Sequence, residues 1–177
     1  MKQIRVSGYG GQGVILSAMV LGRASALFEN KYSTLIQAFG PEARGSACSA
    51  QLIISDENIS YPYIEKSDIL IAMSKEALNK FSPELKSDGI LIFENELVEP
   101  SHLKQKKYGI PATRLAEEKL GKSLGTNIIM IGFITGVLEL ISKESAIKSI
   151  AKTVPEHTFD YNVKAFNIGF EFAKQNY

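Results

Sequence analysis

The feature that most constrains the fold is a glycine-rich segment placed directly after a short apolar run near the start of the chain. Residues 3–7 predict a buried strand, and Gly8-Tyr9-Gly10-Gly11-Gln12-Gly13 follows at once. Apolar and small residues then recur at spacings of four and three, typical of a helix that packs on a sheet: Val14, Ala18, Leu21, Ser25 and Phe28. Strand, glycine loop and helix in this order predict the opening unit of an α/β domain.

The remaining pattern extends this unit into a sheet covered by helices. Strands are expected at 32–39, 48–55, 69–73, 90–93 and 107–110, with a helix at 75–81. No helix separates the second and third strands, so this part of the sheet is expected to be antiparallel or to lie at an edge. Helices are expected at 124–141, 143–153 and 158–174, the last with Thr158 as its N-cap. The fold class is therefore α/β, a Rossmann-like three-layer domain over 1–177 with a mostly parallel sheet and helices on both faces.

Composition excludes several kinds of function. The 177 residues carry a net charge of +1, which offers no global field for nucleic acid or anionic lipid. The single cysteine, Cys48, excludes an internal disulfide and a multi-cysteine cluster, and it is expected to be a buried structural thiol. His102 and His157 lack the spacing of metal ligands, and no acidic pair or nucleophile–base set forms an active site. The chain starts without an apolar signal region, so we expect a cytoplasmic location. The apolar stretch from Ile128 to Ile141 is too short for a bilayer and predicts a buried helix.

The glycine loop itself allows three interpretations. Gly8, Gly10 and Gly13 match G-x-G-x-x-G, a spacing that lets a phosphate approach backbone N–H groups at a helix N-terminus. A dinucleotide site also needs an acidic residue after the second strand to hold the ribose, and Gln37 stands in that region. Three roles fit these residues. The loop packs the helix on the strand and does nothing more, or it binds a nucleotide, or it contacts a non-dinucleotide ligand or a partner. We favour the last of these, with Gly10, Gly11, Gln12 and Gly13 as the contact residues.

A second polar loop follows the second strand, where ligand crevices form in α/β sheets. It reads Gly40-Pro41-Glu42-Ala43-Arg44-Gly45, with turn residues at both ends. Glu42 and Arg44 are either a solvated pair or recognition groups for an anion or a partner, and we favour recognition. Further on, Thr126 or Asn127 is expected to cap the apolar helix, either as a cap alone or with a ligand contact as well.

Three segments together resemble the gamma domain of the pyruvate, 2-oxoglutarate and branched 2-oxoacid ferredoxin oxidoreductases. The run Gly8–Val14 resembles the family opening G-x-G-G-Q-G-V. The run Gly40–Ser46 is similar to its G-x-x-x-R-G-G segment, with Ser46 where glycine is common. The pairs Asn127…Gly132 and Asn162…Gly169 match its carboxy-terminal asparagine–glycine patterns. The resemblance runs in order along nearly the whole chain.

The resemblance implies a role in oxidative decarboxylation: a 2-oxoacid, coenzyme A and oxidised ferredoxin give an acyl-CoA, CO2 and reduced ferredoxin. Thiamine diphosphate with Mg2+ and the 4Fe-4S clusters would belong to partner chains, namely alpha and beta subunits with delta as a further candidate. This chain would supply no catalytic group and no metal ligand and would be inactive alone. It would help to form the coenzyme A site, and a homodimer contact is a further expectation. A short free-standing gamma chain favours 2-oxoglutarate as the substrate over pyruvate.

Two rival interpretations remain at this point. The first is a stand-alone nucleotide-binding Rossmann-like enzyme or sensor, which the missing ribose acid disfavours. The second is a pure scaffold with an empty crevice, consistent with the missing catalytic set.

Overall fold

The computed structural model describes residues 1–37 and 47–177, and a six-stranded sheet forms its centre. The strands, numbered in chain order, are β1 (Lys2–Tyr9), β2 (Tyr32–Gln37), β3 (Ala47–Ser55), β4 (Ser67–Ala72), β5 (Leu85–Glu94) and β6 (Lys106–Ile110). Their order across the sheet is β2-β3-β1-β4-β5-β6.

The sheet is mostly parallel, as expected. Strands β1, β4, β5 and β6 run in one direction, and β3 is antiparallel to both of its neighbours. Strand β2 therefore runs parallel to β1, but β3 lies between them. Both expectations for this region are confirmed, because β3 is antiparallel and β2 is at the edge. The carboxyl ends of the five co-directional strands consequently lie along one edge of the sheet.

Six α-helices cover the sheet within the described residues. They are α1 (Val14–Phe28), α2 (Lys75–Phe81), α3 (Ala112–Leu120), α4 (Thr126–Leu138), α5 (Lys143–Thr153) and α6 (Phe159–Asn176). Helix α4 is shorter than the expected 124–141, because Glu139 takes a left-handed conformation with a φ of 51° and ends it. Thr158 stands at the start of α6, but its hydroxyl donates to the carbonyl of Pro155 and caps no helical N–H. Thr158 therefore holds the expected N-cap position of α6, but its side chain makes no capping hydrogen bond.

Alternate residues of the central strands point to two separate cores. On β4, Ile69 and Ile71 join the larger core, which α1, α3, α4 and α5 cover. Leu70 and Ala72 point the other way, into a smaller core closed by α2. Strand alternation thus places helices on both faces, and the three-layer expectation is confirmed.

Helix α4 is buried on all sides, which explains its almost entirely apolar sequence. It lies between the sheet and α6, and the two helices approach closely at two glycines. A Cβ atom on Gly132 would overlap the carbonyl oxygen of Phe166, and one on Gly169 would overlap that of Ile129. The distal asparagine–glycine patterns therefore mark a backbone-to-backbone helix crossing. No described helix has the length and apolarity needed to cross a membrane.

The crossing makes a direct stability prediction. Gly132→Ala should lower the free energy of unfolding by roughly 3 kcal/mol, the upper end of overpacking costs, because the added methyl meets rigid backbone. Gly22→Ala in α1 is the matched control, since its methyl meets only the movable side chains of Leu52 and Ser33. We expect a loss of less than about 1 kcal/mol there, because alanine favours the helix. Urea denaturation measures both, and equal losses would contradict the crossing.

Candidate functional site

The glycine loop is a tight turn held by one side chain. Gln12 accepts a hydrogen bond from the N–H of Tyr9 at 2.6 Å and donates its amide to the carbonyl of Met73 at 3.0 Å. The N–H of Gln12 also bonds to the carbonyl of Tyr9. Gly8 lies beneath this side chain, where a Cβ would come within 2.6 Å of the Gln12 amide oxygen. The loop is thereby tied to the ends of β1 and β4.

Helix α1 begins at this loop without a side-chain cap. Gly13 is the N-cap residue and has a φ of 72°, and Gly11 has a φ of 98°, both in the left-handed region that favours glycine. Within residues 1–37 and 47–177, no side chain caps the first N–H groups of the helix. These groups and the helix dipole favour an anion at this position.

A second helix begins at the same place. Gly125, with a φ of 101°, is the N-cap of α4, and no side chain in the described part of the chain caps this helix either. The expected capping by Thr126 or Asn127 was wrong, because Thr126 donates to the carbonyl of Ser123 and Asn127 packs against Gly13. A Cβ on Gly13 would lie 2.7 Å from the Asn127 side-chain carbon Cγ. Two uncapped helix N-termini therefore meet at the carboxyl edge of the sheet.

A cavity of about 370 Å3 opens between these two helix ends. Its walls come from the glycine loop, the ends of β4 and β5, α3 and the start of α4. The lining residues are Gly11, Gln12, Met73, Glu94, Leu97, Thr113, Ser123, Leu124, Gly125, Thr126 and Asn127. We call this cavity the edge pocket. Its position matches the general rule that ligands of open α/β sheets bind outside the carboxyl ends of the strands.

Glu94, the last residue of β5, is the most unusual group in the edge pocket. It has no solvent exposure, and neither carboxylate oxygen has a hydrogen-bond partner among the described residues. Burial raises the pKa of this carboxyl above its ordinary value of 4.5. The N–H groups of Glu96, Thr113 and Leu97 face it and oppose that shift, but none meets hydrogen-bond geometry, so burial prevails. Glu94 is not among the site residues predicted from the sequence, although an acid directly after the apolar run 90–93 was a usable signal.

A larger cleft of about 560 Å3 lies at the opposite edge of the sheet, beside the start of β1. Tyr61 and Tyr63 form part of its wall. None of its lining residues carries a buried polar atom without a partner. It also lies at the wrong end of the strands for a ligand crevice of this fold, so the edge pocket is the better candidate.

The predicted site residues divide into two groups. Gly11 and Gln12 line the edge pocket, Gly10 is exposed in the same turn, and Gly13 starts α1. Glu42 and Arg44 lie outside the described residues. The described residues on either side of them, Gln37 and Ala47, are at the carboxyl edge, since Ala47 pairs with Tyr9 at the end of β1.

The strand order changes the meaning of the missing ribose acid. In a dinucleotide fold that acid ends the strand next to β1. Here β3 occupies that place, and Gln37 ends β2 one strand further out.

Within 1–37 and 47–177, no three acidic, histidine or cysteine side chains come together as metal ligands. Cys48 is buried as expected, and burial raises the pKa of its thiol.

Comparison with known proteins gives consistent matches. Residues 3–172 match the family model described as pyruvate ferredoxin/flavodoxin oxidoreductase. The 2-oxoglutarate synthase subunit KorC of Methanocaldococcus jannaschii is 41% identical over 177 residues, covering 98% of this chain and 95% of that protein. The pyruvate synthase subunit PorC of Methanothermobacter marburgensis is 34% identical over 180 residues, 99% of each chain. The crystal structure of a keto/oxoacid ferredoxin oxidoreductase gamma subunit from Geobacter sulfurreducens superposes with a TM-score of 0.86 at 32% identity, covering 99% of both chains.

The chain therefore belongs to the pyruvate ferredoxin/flavodoxin oxidoreductase family. Within that family, the expected resemblance to the gamma-type subunit is confirmed by the full-length match to the Geobacter sulfurreducens structure. The matched region contains the glycine loop, the edge pocket and the α4–α6 crossing.

The raised pKa of Glu94 predicts a pH-dependent stability. The unfolded carboxyl titrates near 4.5, whereas the folded one keeps its proton to higher pH. Its contribution to stability is therefore complete below about pH 4.5 and is lost as the pH rises through the folded-state pKa. Relative to Glu94→Gln, the wild-type free energy of unfolding should fall as the pH rises from that value. Urea titrations across pH test this, and parallel pH profiles for the two proteins would contradict it.

Proposed function

We propose that this chain, as a single gamma-type domain over 1–177, is the gamma subunit of a 2-oxoglutarate:ferredoxin oxidoreductase. The enzyme would convert 2-oxoglutarate, coenzyme A and oxidised ferredoxin to succinyl-CoA, CO2 and reduced ferredoxin. The observation that carries the choice of substrate is the 41% identity to a 2-oxoglutarate synthase subunit over nearly the full length of both chains. The pyruvate synthase subunit matches equally completely but at 34% identity.

In this proposal the chemistry is divided between chains. Thiamine diphosphate, Mg2+ and the 4Fe-4S clusters belong to the alpha, beta and delta partners, which also pass electrons to ferredoxin. This chain contributes backbone N–H groups and a pocket, and it braces the larger subunits. The complex would work in the cytoplasm.

The edge pocket supports a contact with coenzyme A, the phosphate-bearing co-substrate. Both α1 and α4 present uncapped N-termini there, and each helix end favours a charge by roughly 0.3–1 kcal/mol when solvated. That energy orients a phosphate but is too small to hold a whole cofactor, so further contacts are needed. Arg44 is proposed as one of them, because guanidinium groups bind phosphate in a bidentate manner.

The division of chemistry predicts what the chain does alone. Purified by itself, it should bind neither thiamine diphosphate nor iron and should not turn over a 2-oxoacid. Expressed with its neighbouring genes, a tagged copy should retain larger subunits that oxidise 2-oxoglutarate with coenzyme A. Iron analysis, calorimetry and a dye-reduction assay on both preparations test this. Stoichiometric iron or turnover by the chain alone would refute the assignment, and pyruvate as the preferred substrate would refute the choice of 2-oxoglutarate.

Arg44→Ala tests the coenzyme A contact in the assembled enzyme. The KM for coenzyme A should rise about tenfold or more, since a lost bidentate contact of about 1.5–3 kcal/mol corresponds to at least that factor. The KM for 2-oxoglutarate should change little. Lys164→Ala, which removes one charge from an exposed position on α6, is the control and should leave both constants unchanged. An unchanged coenzyme A KM together with a loosened complex would make Arg44 an interface residue instead.

Gly11→Val tests the approach of a ligand or partner to the glycine loop. Among the described residues a Cβ at Gly11 meets nothing within 4 Å, so damage beyond backbone strain must come from a group outside that part of the chain. Gly121→Val is the matched control, because Gly121 also has a positive φ, of 74°, and open space around it. Both variants should lose similar stability, but only Gly11→Val should impair assembly and coenzyme A use. Equal effects of the two substitutions on activity would show that backbone strain alone is responsible. Micromolar NAD binding to the wild-type chain would instead favour the alternative of a stand-alone nucleotide-binding enzyme.

A further inference from the structure

The amino edge of the sheet, opposite to the edge pocket, carries a pair of exposed aromatic side chains. They belong to the segment 56–66, which joins β3 to β4, the two neighbours of β1. The rings of Tyr61 and Tyr63 contact each other with centroids 5.5 Å apart, yet the two residues remain 63% and 55% exposed. Tyrosine is enriched among the residues that contribute most to protein interfaces. We call this pair the tyrosine ridge.

Further apolar surface surrounds the tyrosine ridge. Met1 is more than half exposed and lines the cleft of about 560 Å3. Tyr32 is also more than half exposed, and it pairs across β2 and β3 with Ser55, which lines the same cleft. Four of the nine large apolar side chains that are exposed among the described residues therefore lie around this cleft. Such a concentration of apolar surface marks a contact site for another protein chain.

The tyrosine ridge stands between two clefts. The first is the cleft of about 560 Å3, and the second has a volume of about 410 Å3. Tyr61, Tyr63 and Gln3 line both clefts, so the ridge separates them. A ridge beside a cleft is a shape that a second copy of the same surface fills, because a two-fold axis places the ridge of each copy in the cleft of the other.

The ionisable groups differ between the two sides of the tyrosine ridge. Asp56 and Glu57 line the first cleft, which we call the acidic cleft. Lys66 and Lys86 line the second cleft together with Glu65, and we call it the lysine cleft. Lys86 already has an ion-pair partner on β4. Neither the two acids of the first cleft nor Lys66 has an ion-pair partner among the described residues.

A two-fold arrangement brings these groups together. When the ridge of each copy lies in the acidic cleft of the other, the two ridges are side by side and each lysine cleft faces outward. The outer wall of one acidic cleft then lies against the flank of the other ridge that carries Lys66. Asp56 and Glu57 of each copy are consequently placed near Lys66 of the second copy, and this contact forms twice. The surface is therefore complementary to itself in both shape and charge.

The available surface suits a weak dimer. A fully buried tyrosine side chain removes roughly 150–250 Å2 from water, so the exposed parts of four such side chains on each copy amount to roughly 900 Å2 over a dimer. A specific interface buries about 1,200 Å2 or more in total. The walls of the two acidic clefts supply the remaining area.

We propose that the amino edge binds a second copy of this chain, with the tyrosine ridge of each copy in the acidic cleft of the other. This contact lies at the edge of the sheet opposite to the edge pocket, so it does not depend on the proposed coenzyme A contact. In the proposed enzyme it would join two complexes through their gamma subunits.

Sedimentation equilibrium of the full chain measures the contact. Wild type should be in a monomer–dimer equilibrium with a Kd on the order of 10 μM, as for other small interfaces. Tyr61→Ser/Tyr63→Ser should raise the Kd at least about thirtyfold, because tyrosines at the centre of an interface are among the costliest to lose. Leu124→Ser is the matched control, since it removes a side chain of similar exposure, 66%, from the carboxyl edge and should leave the Kd unchanged. A wild-type chain that is monomeric at about 500 μM, or a control that weakens the dimer equally, overturns the proposal.

Charge reversal tests the two-fold arrangement itself. Asp56→Lys/Glu57→Lys and Lys66→Glu should each raise the Kd about tenfold or more, because each dimer then brings like charges together twice. Mixed in equal amounts, the two variants should form a heterodimer with a Kd near that of wild type, since opposite charges face each other again at both contacts. Sedimentation with one variant dye-labelled detects the heterodimer. A mixture that associates no better than the separate variants overturns the arrangement.

A larger subunit of the complex is the competing occupant of this surface. If the chain alone dimerises and a tagged Tyr61→Ser/Tyr63→Ser copy still retains the larger subunits on co-expression, the second copy is the occupant. If the chain alone is monomeric and the tagged variant loses the larger subunits, the surface binds one of them and the proposal is overturned. In either case the effect of Arg44→Ala on the KM for coenzyme A tests the proposed function separately.

Discussion

The contact between Gly13 and Asn127 is the constraint on which the candidate site depends. Only the absence of a side chain at Gly13 lets the start of α4 come against the start of α1. Their meeting places two helix N-termini without a side-chain cap from the described residues at one edge of the sheet and leaves the edge pocket between them. The left-handed backbone of Gly13 and Gly125 is what lets both helices begin abruptly at that point.

Glu94 gives the edge pocket a side-chain group, whereas the helix ends provide only backbone N–H groups. Backbone N–H groups attract any anion and discriminate little between ligands. Burial raises the pKa of this carboxyl, so it keeps its proton to higher pH than an exposed carboxyl does. The edge pocket thus has a helix N-terminus at the end of β1 and a buried carboxyl at the end of β5, with β4 between these two strands.

Local pattern predicted most of the elements, because apolar periodicity and glycine position act over a few residues. The strand–loop–helix start, the covered strands β4 and β5 and the buried helix α4 all followed from it. The insertion of β3 between β1 and β2 did not, since pairing of distant segments leaves no local mark. The N-cap residue of α4 was predicted wrongly, because either a left-handed glycine or a polar residue fits that position. The outcome depends on the tertiary packing of Asn127, which the local sequence does not show. Glu94 was missed because its burial is a tertiary property.

The glycine crossing of α4 and α6 has a consequence for motion. Hydrogen is the only side chain that fits at Gly132 and Gly169, so the two backbones touch and cannot slide without separating. Two helices packed in this way move as one rigid unit, whereas a shear motion needs a layer of side chains between the helices that can repack. Because the start of α4 forms one wall of the edge pocket, that wall is anchored deep in the fold. Any opening of the edge pocket must come from the glycine loop or from Leu97 and Leu124. A ligand would therefore contact one wall that stays in place and one wall that can move.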